Sequence, residues 1–121
     1  MRKKNRFIVA CQGILSVFQT EQNFRIHLFA FVSAISFGFV FQISKVEWIA
    51  VLSCSFLVLI CEIFNTAIEK LCNHVSPQYD VHIGKVKDIS AAAVFTSAIL
   101  SLVIGIIVFI PYFIQWYCDS A

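Results

Sequence analysis

The chain has 121 residues, enough for one domain, and 60% of them are hydrophobic against 13% charged. A typical soluble protein is about 25% charged, and a soluble domain of this size could not hide so much apolar side chain, 13 phenylalanines included. With a mean hydropathy of +0.85, the composition excludes an ordinary soluble domain and makes lipid the expected solvent. The formal net charge of +2 is too small to imply nucleic acid.

In chain order, the first element is the segment before residue 26. It opens on Arg2-Lys3-Lys4-Asn5-Arg6, a basic lead-in that anionic lipid would attract. Phe7, Cys11, Ile14 and Phe18 then recur at helical spacing, with Gln12, Ser16, Gln19 and Asn23 on the other side. That pattern predicts an amphipathic helix within residues 1–25, lying on a membrane surface. Polar and charged groups run throughout this segment, with no cleavable apolar stretch of the kind a signal peptide needs.

Three apolar runs follow, at 26–43, 48–71 and 89–114. Each has the length of about 17–25 residues that a spanning helix requires. Basic residues set the orientation. Five Lys/Arg stand up to Arg25, and Lys70, Lys85 and Lys87 flank the second connection, so eight of the nine fall on one side. Only Lys45 lies on the other, and the tail after the third run has none. The expected arrangement is a surface helix in the cytoplasm, then a span out, a span back and a span out. Trp48, Trp116 and Tyr117 fit an outer aromatic belt. His27, His74 and His82 share no ligand-like spacing and are expected at the interface or in loops. The cysteines at 11, 54, 61, 72 and 118 form no metal-ligand pattern and read as small apolar residues.

The second run ends on Cys61-Glu62-Ile63-Phe64-Asn65-Thr66-Ala67-Ile68-Glu69. On a helix, Glu62 and Glu69 lie about 20° apart in projection and about 10 Å apart along the axis, with Asn65 between them. One face therefore carries Glu-Asn-Glu while the rest is apolar. An ionisable residue at bilayer depth is costly and is a functional-site candidate by default. Glu21 before the first run, and Lys87 and Asp88 at the start of the third, fall at the same expected depth. Carboxylates, an amide and a lysine suit Mg²⁺ with phosphate, since Mg²⁺ is usually held by one or two carboxylates plus substrate phosphates. Lysine would neutralise a transferring phosphoryl group. No P-loop is present, because Gly84-Lys85 lacks the upstream glycine and the following Ser/Thr. No protein-kinase glycine loop or catalytic loop is present either. From composition and spacing alone, the chain is a membrane helix bundle with a carboxylate-rich site facing the cytoplasm.

The residues also resemble a known family. Glu62-Ile63-Phe64-Asn65-Thr66-Ala67-Ile68-Glu69 resembles the E-[IL]-x-N-[ST]-A-I-E signature of the small prokaryotic diacylglycerol kinases, a family that includes undecaprenol kinases. Lys87-Asp88-Ile89-Ser90-Ala91-Ala92-Ala93-Val94 resembles that family's K-D-x-x-[AS]-A-A-V. Thr20-Glu21-Gln22-Asn23-Phe24-Arg25-Ile26-His27 resembles N-E-x-N-x-R-x-H, in its undecaprenol-kinase form. The resemblance implies an all-α membrane protein of one domain, residues 1–121, with three spans after the surface helix. It implies a homotrimer with composite sites between subunits, in a bacterial inner or plasma membrane with the site facing the cytoplasm. It implies ATP- and Mg²⁺-dependent phosphorylation of a lipid alcohol, undecaprenol or diacylglycerol. Glu62 then resembles the base that takes the lipid hydroxyl proton, and Asn65 the residue orienting that base or the γ-phosphate. Glu69 and Glu21 would hold Mg²⁺ with the nucleotide phosphates. Lys87 and Asp88 would contact the nucleotide, as would Gln78, Tyr79 and Asp80 of the connecting loop, with Arg2 or Arg6 as the family's arginine. Two departures stand out: Asn73 replaces an expected Asp, and Ser90-Ala91 replaces a Gly-Ser found in some members.

Two other readings compete. A small proton-coupled transporter would use an intramembrane Glu as a relay, but leaves Asn65 and Lys87-Asp88 without a role. A non-catalytic assembly subunit would use small-residue faces such as Ser90-Ala91-Ala92-Ala93 and Ser97-Ala98 to pack helices.

Overall fold

A computed structural model describes residues 5–120 of the chain. It consists of four helices, α1 (Arg6–Thr20), α2 (Gln22–Phe41), α3 (Lys45–Val75) and α4 (Val81–Ser120), with no strand among the described residues. Three of them, α2, α3 and α4, are long and apolar enough to cross a membrane. The all-helical architecture with three spanning candidates is the one the composition predicted.

The helices outrun the apolar runs. At 1.5 Å per residue α2 is about 30 Å long, α3 about 46 Å and α4 about 60 Å, against about 30 Å for the hydrocarbon core of a bilayer. The antiparallel pair α3 and α4 packs along most of its length and extends beyond the apolar layer at the 76–80 turn. Helix α3 packs against α1, α2 and α4 and is the central element.

Local chemistry sets the ends. Asn5 caps α1, its Oδ1 accepting from the backbone N–H of Phe7 at 2.9 Å. Helix α2 stops at Phe41 rather than running to 43 because Gln42 takes the left-handed conformation, φ 52°. The N–H of Ile43 then returns to the carbonyl of Gly38 at 3.2 Å and that of Gln42 to Phe39 at 3.3 Å, a Schellman closure. Ile43, the residue after the turn, is buried against Val51 and Val108. Ser44 and Glu47 form a reciprocal capping box at the start of α3, at 2.9 and 3.2 Å. Tyr112 of α4 donates its hydroxyl to the same Glu47 at 2.5 Å, tying α4 to that turn.

Two apolar clusters hold the bundle. Near the α1 end, Val17, Phe24 and Leu59 are buried together, with Leu28, Phe31 and Ile63 against them. At the opposite end, aromatic rings join α2 to α4: Phe41 meets Phe113 at 4.9 Å and Tyr112 at 5.7 Å, and Phe37 meets Phe113 at 5.4 Å between centroids. Trp48 sits directly over Gly38, where a Cβ would stand 2.6 Å from the indole ring. Between these clusters α2 and α4 diverge around a cleft of about 590 Å³, floored by Ser55 and Val58 of α3 and lined by Phe37, Gly105 and Phe109.

Helix α1 packs through Val17, its one buried residue, and through Ser16, whose hydroxyl accepts from Lys70 Nζ at 3.4 Å. The apolar stripe Phe7, Cys11, Ile14 and Phe18 is not covered by the chain. Arg2, Lys3 and Lys4 lie outside the described residues; Arg6 opens α1.

Candidate active site

The polar face of α3 sits where α1, α2 and α4 all approach it. Glu62 and Thr66 are each 2% exposed, the most deeply enclosed side chains among the described residues. Glu62 lies on the stripe Val51, Ser55, Val58, Leu59, Glu62, Thr66, which spaces at three and four residues and turns inward. Thr66 returns its hydroxyl to the carbonyl of Glu62 at 2.8 Å, so its polarity is spent within the helix.

The Glu-Asn-Glu face divides between neighbours. Glu62 turns toward α2, where His27 Nε2 stands 3.4 Å from its Oε1. Asn65, rotated by about 60° around the axis, turns toward α4, where the hydroxyl of Ser90 donates to its Oδ1 at 2.6 Å. The amide nitrogen of Asn65 donates to Glu69 Oε1 at 3.3 Å. The amide is therefore held at both ends and cannot turn over without losing both bonds. Glu21 occupies the junction between α1 and α2, serving as the last residue of one cap and the first of the next. Glu69 follows Glu62 by two turns on the same face of α3. The face of α3 thus carries Glu62 against His27 of α2, and, one to two turns further along, Asn65 and Glu69, with Ser90 of α4 on Asn65.

The remaining sequence candidates lie nearer the α3–α4 turn. Lys87 donates Nζ to the side-chain carbonyl of Asn73, the position at which the motif comparison expected Asp. Asp88 is exposed one residue on. Asp80 caps α4, its Oδ1 accepting from the N–H groups of His82 and Ile83 at 2.8 and 3.2 Å. The carbonyl of Gln78 accepts from Ser76 Oγ at 2.9 Å, and Tyr79 is 88% exposed with its ring over Gly84. Gln78, Tyr79 and Asp80 make no hydrogen bond to the carboxylate cluster among the described residues.

His27 departs from expectation. It is not a loop residue but stands half-buried on the packing face of α2, against Glu62. His74 and His82 are exposed at helix ends, as expected. The sequence signal for His27 lay in its spacing, since Phe24, Leu28 and Phe31 form an inward stripe with His27 inside it. Ser90 was visible only as a departure from the motif, not as a partner of Asn65.

The donor set fits a hard cation that shares its shell with phosphate. No group of three or more His, Cys, Asp or Glu forms a ready cage among the described residues. Glu21 and Glu69 provide two carboxylates, the usual protein share for Mg²⁺.

A family model described as prokaryotic diacylglycerol kinase matches residues 8–109. The chain belongs to the prokaryotic diacylglycerol kinase family. It is 30% identical over 105 residues to the undecaprenol kinase of Bacillus subtilis (strain 168), covering 87% of this chain and 85% of that one. It is 31% identical over 106 residues to the diacylglycerol kinase of Synechocystis sp., covering 87% of this chain and 61% of that one. It is 31% identical over 99 residues to the diacylglycerol kinase of Haemophilus influenzae, covering 81% of this chain and 84% of that one. As a member of the diacylglycerol kinase family with three apolar helices, the chain is a membrane-bound lipid kinase, a phosphotransferase with an alcohol acceptor.

Proposed function

We propose that the chain transfers the γ-phosphate of ATP to the hydroxyl of undecaprenol or diacylglycerol at the cytoplasmic face of a bacterial plasma membrane. Glu62 takes the proton of the lipid hydroxyl. The oxygen attacks the γ-phosphorus, the bond to the β–γ bridging oxygen breaks, and ADP leaves with that oxygen. The observation that carries this reading is the enclosure of Glu62, at 2% exposure, on the α3 face that also holds Glu69 and a clamped Asn65. A buried carboxylate at the end of a spanning helix is where a lipid hydroxyl can meet a water-soluble nucleotide.

Each neighbour takes a role that its bonds favour. Asn65 has fixed orientation and a second amide hydrogen left to offer a phosphate or Glu62. Glu21 and Glu69 would hold Mg²⁺, which when bound neutralises charge on the nucleotide phosphates. Lys87, resting on Asn73, is a cation close to the nucleotide's expected entry, with Asp88, Gln78, Tyr79 and Asp80 around the same turn. Arg6, which opens α1, or Arg2 would supply a further positive charge. The exposed stripe of α1 suits the membrane surface. The shallow recess between α3 and α4 lined by Ala92, Ala93 and Ser97 suits close helix packing in a homotrimer.

Purified protein in mixed micelles, given Mg²⁺, γ-labelled ATP, and diacylglycerol and undecaprenol side by side, tests the reading. Label enters at least one lipid and stops when Mg²⁺ is chelated. The form of the Thr20–His27 segment and the Bacillus relative favour undecaprenol. Absence of label in both lipids from a folded preparation would refute the proposal.

A further inference from the structure

A histidine on the inner face of a spanning helix is expensive without a partner. His27 shares its face with Phe24, Leu28 and Phe31, which pack on Leu59 and Ile63 of α3. Its ring is thereby delivered to the one carboxylate on the facing stripe, with Nε2 3.4 Å from Glu62 Oε1. Among the described residues the contact with His27 is that carboxylate's one polar side-chain contact. Thr66 bonds the backbone carbonyl of Glu62, and the hydrogen bonds that Asn65 makes go to Glu69 and Ser90. His27 also lines the head of the apolar cleft between α2 and α4, where it is the only ionisable side chain among the described residues.

We propose that His27 is a positioning residue for Glu62. Its Nε2 engages Oε1, fixes the rotamer of the carboxylate, and leaves Oε2 directed to the acceptor hydroxyl. This rests on the reading of Glu62 as the proton acceptor. A base free to rotate would spend most of its time away from the hydroxyl, and misplacement by about 1 Å can cost about a hundredfold in rate.

Four variants of the full chain decide the matter in the mixed-micelle assay: His27→Ala, His27→Gln, His27→Asn and Glu62→Gln. A thermal melt and size-exclusion profile accompany each. The amide nitrogen of Gln reaches the place of Nε2, whereas that of Asn is equally polar but too short. His27→Ala and His27→Asn should lose about a hundredfold in kcat while the KM for ATP stays within about twofold. His27→Gln should recover most of the loss. If His27→Ala does not fold, the contrast between Gln and Asn carries the same information. Equal activity of those two, wild-type kcat in His27→Ala, or an effect confined to the KM for ATP would each overturn the positioning role. Glu62→Gln separates the two levels. Full activity there removes the base itself, while an inactive Glu62→Gln beside a fully active His27→Ala removes only His27.

Discussion

An ionisable side chain within a spanning helix is costly and rare unless it serves a function. Glu62 is retained nearly fully enclosed, so the bundle is arranged around it rather than in spite of it. The Glu62–Asn65–Glu69 face was legible in the sequence because helical periodicity alone superposes these positions. What each of them touches was not. The Ser90–Asn65 bond joins residues 25 apart in the chain, and the Lys87–Asn73 bond joins residues 14 apart. Such pairings follow from how α3 and α4 register, which no local pattern encodes. A lone His27 among apolar residues is equally mute until its facing helix is known. Glu69 accepts from Asn65 and, in the proposed function, holds Mg²⁺. Glu69→Gln should therefore raise the Mg²⁺ needed for half-maximal rate by about tenfold or more, because a neutral amide is a poor ligand for a hard cation. A metal titration of initial rate checks this; an unchanged midpoint would remove Glu69 from the metal site.

The helices themselves were the most readable feature, because composition demanded spans and apolar runs marked them. Their ends were less so. Helix α2 stops at Phe41 through a left-handed Gln42, a conformation that favours glycine and is not suggested by Gln. The far end of α4 is anchored by Tyr112 on Glu47, residues 65 apart in the chain. At Gly38 of α2 the indole of Trp48 from α3 occupies the space a side chain would need. Gly38→Val should force the rigid indole aside and destabilise the protein by about 1–3 kcal/mol. The expected result is a lower melting temperature in detergent with the site chemistry intact at low temperature. A melt identical to wild type would contradict the packing of Trp48 on Gly38.

At the scale of the molecule, the four helices place α1, the start of α2, the end of α3 and the start of α4 at one end, which is where the polar residues gather. The proposed topology, read from the charge asymmetry, has that end in the cytoplasm. Cys11 on α1 and Cys118 near the end of α4 are both exposed, whereas Cys54 and Cys72 are buried. Variants retaining a single cysteine should therefore label oppositely in intact cells. A membrane-impermeant maleimide should reach Cys118 directly and Cys11 only after permeabilisation. Labelling of Cys11 from outside would invert the topology and move the site away from cytoplasmic ATP. The whole arrangement comes back to one carboxylate, and one comparison tests it most directly: kcat for phosphate transfer by Glu62→Gln against wild type, at saturating ATP, Mg²⁺ and lipid. The account predicts a loss of about 10²–10⁴-fold with melting temperature and nucleotide affinity retained. A folded Glu62→Gln protein turning over at the wild-type rate would contradict it.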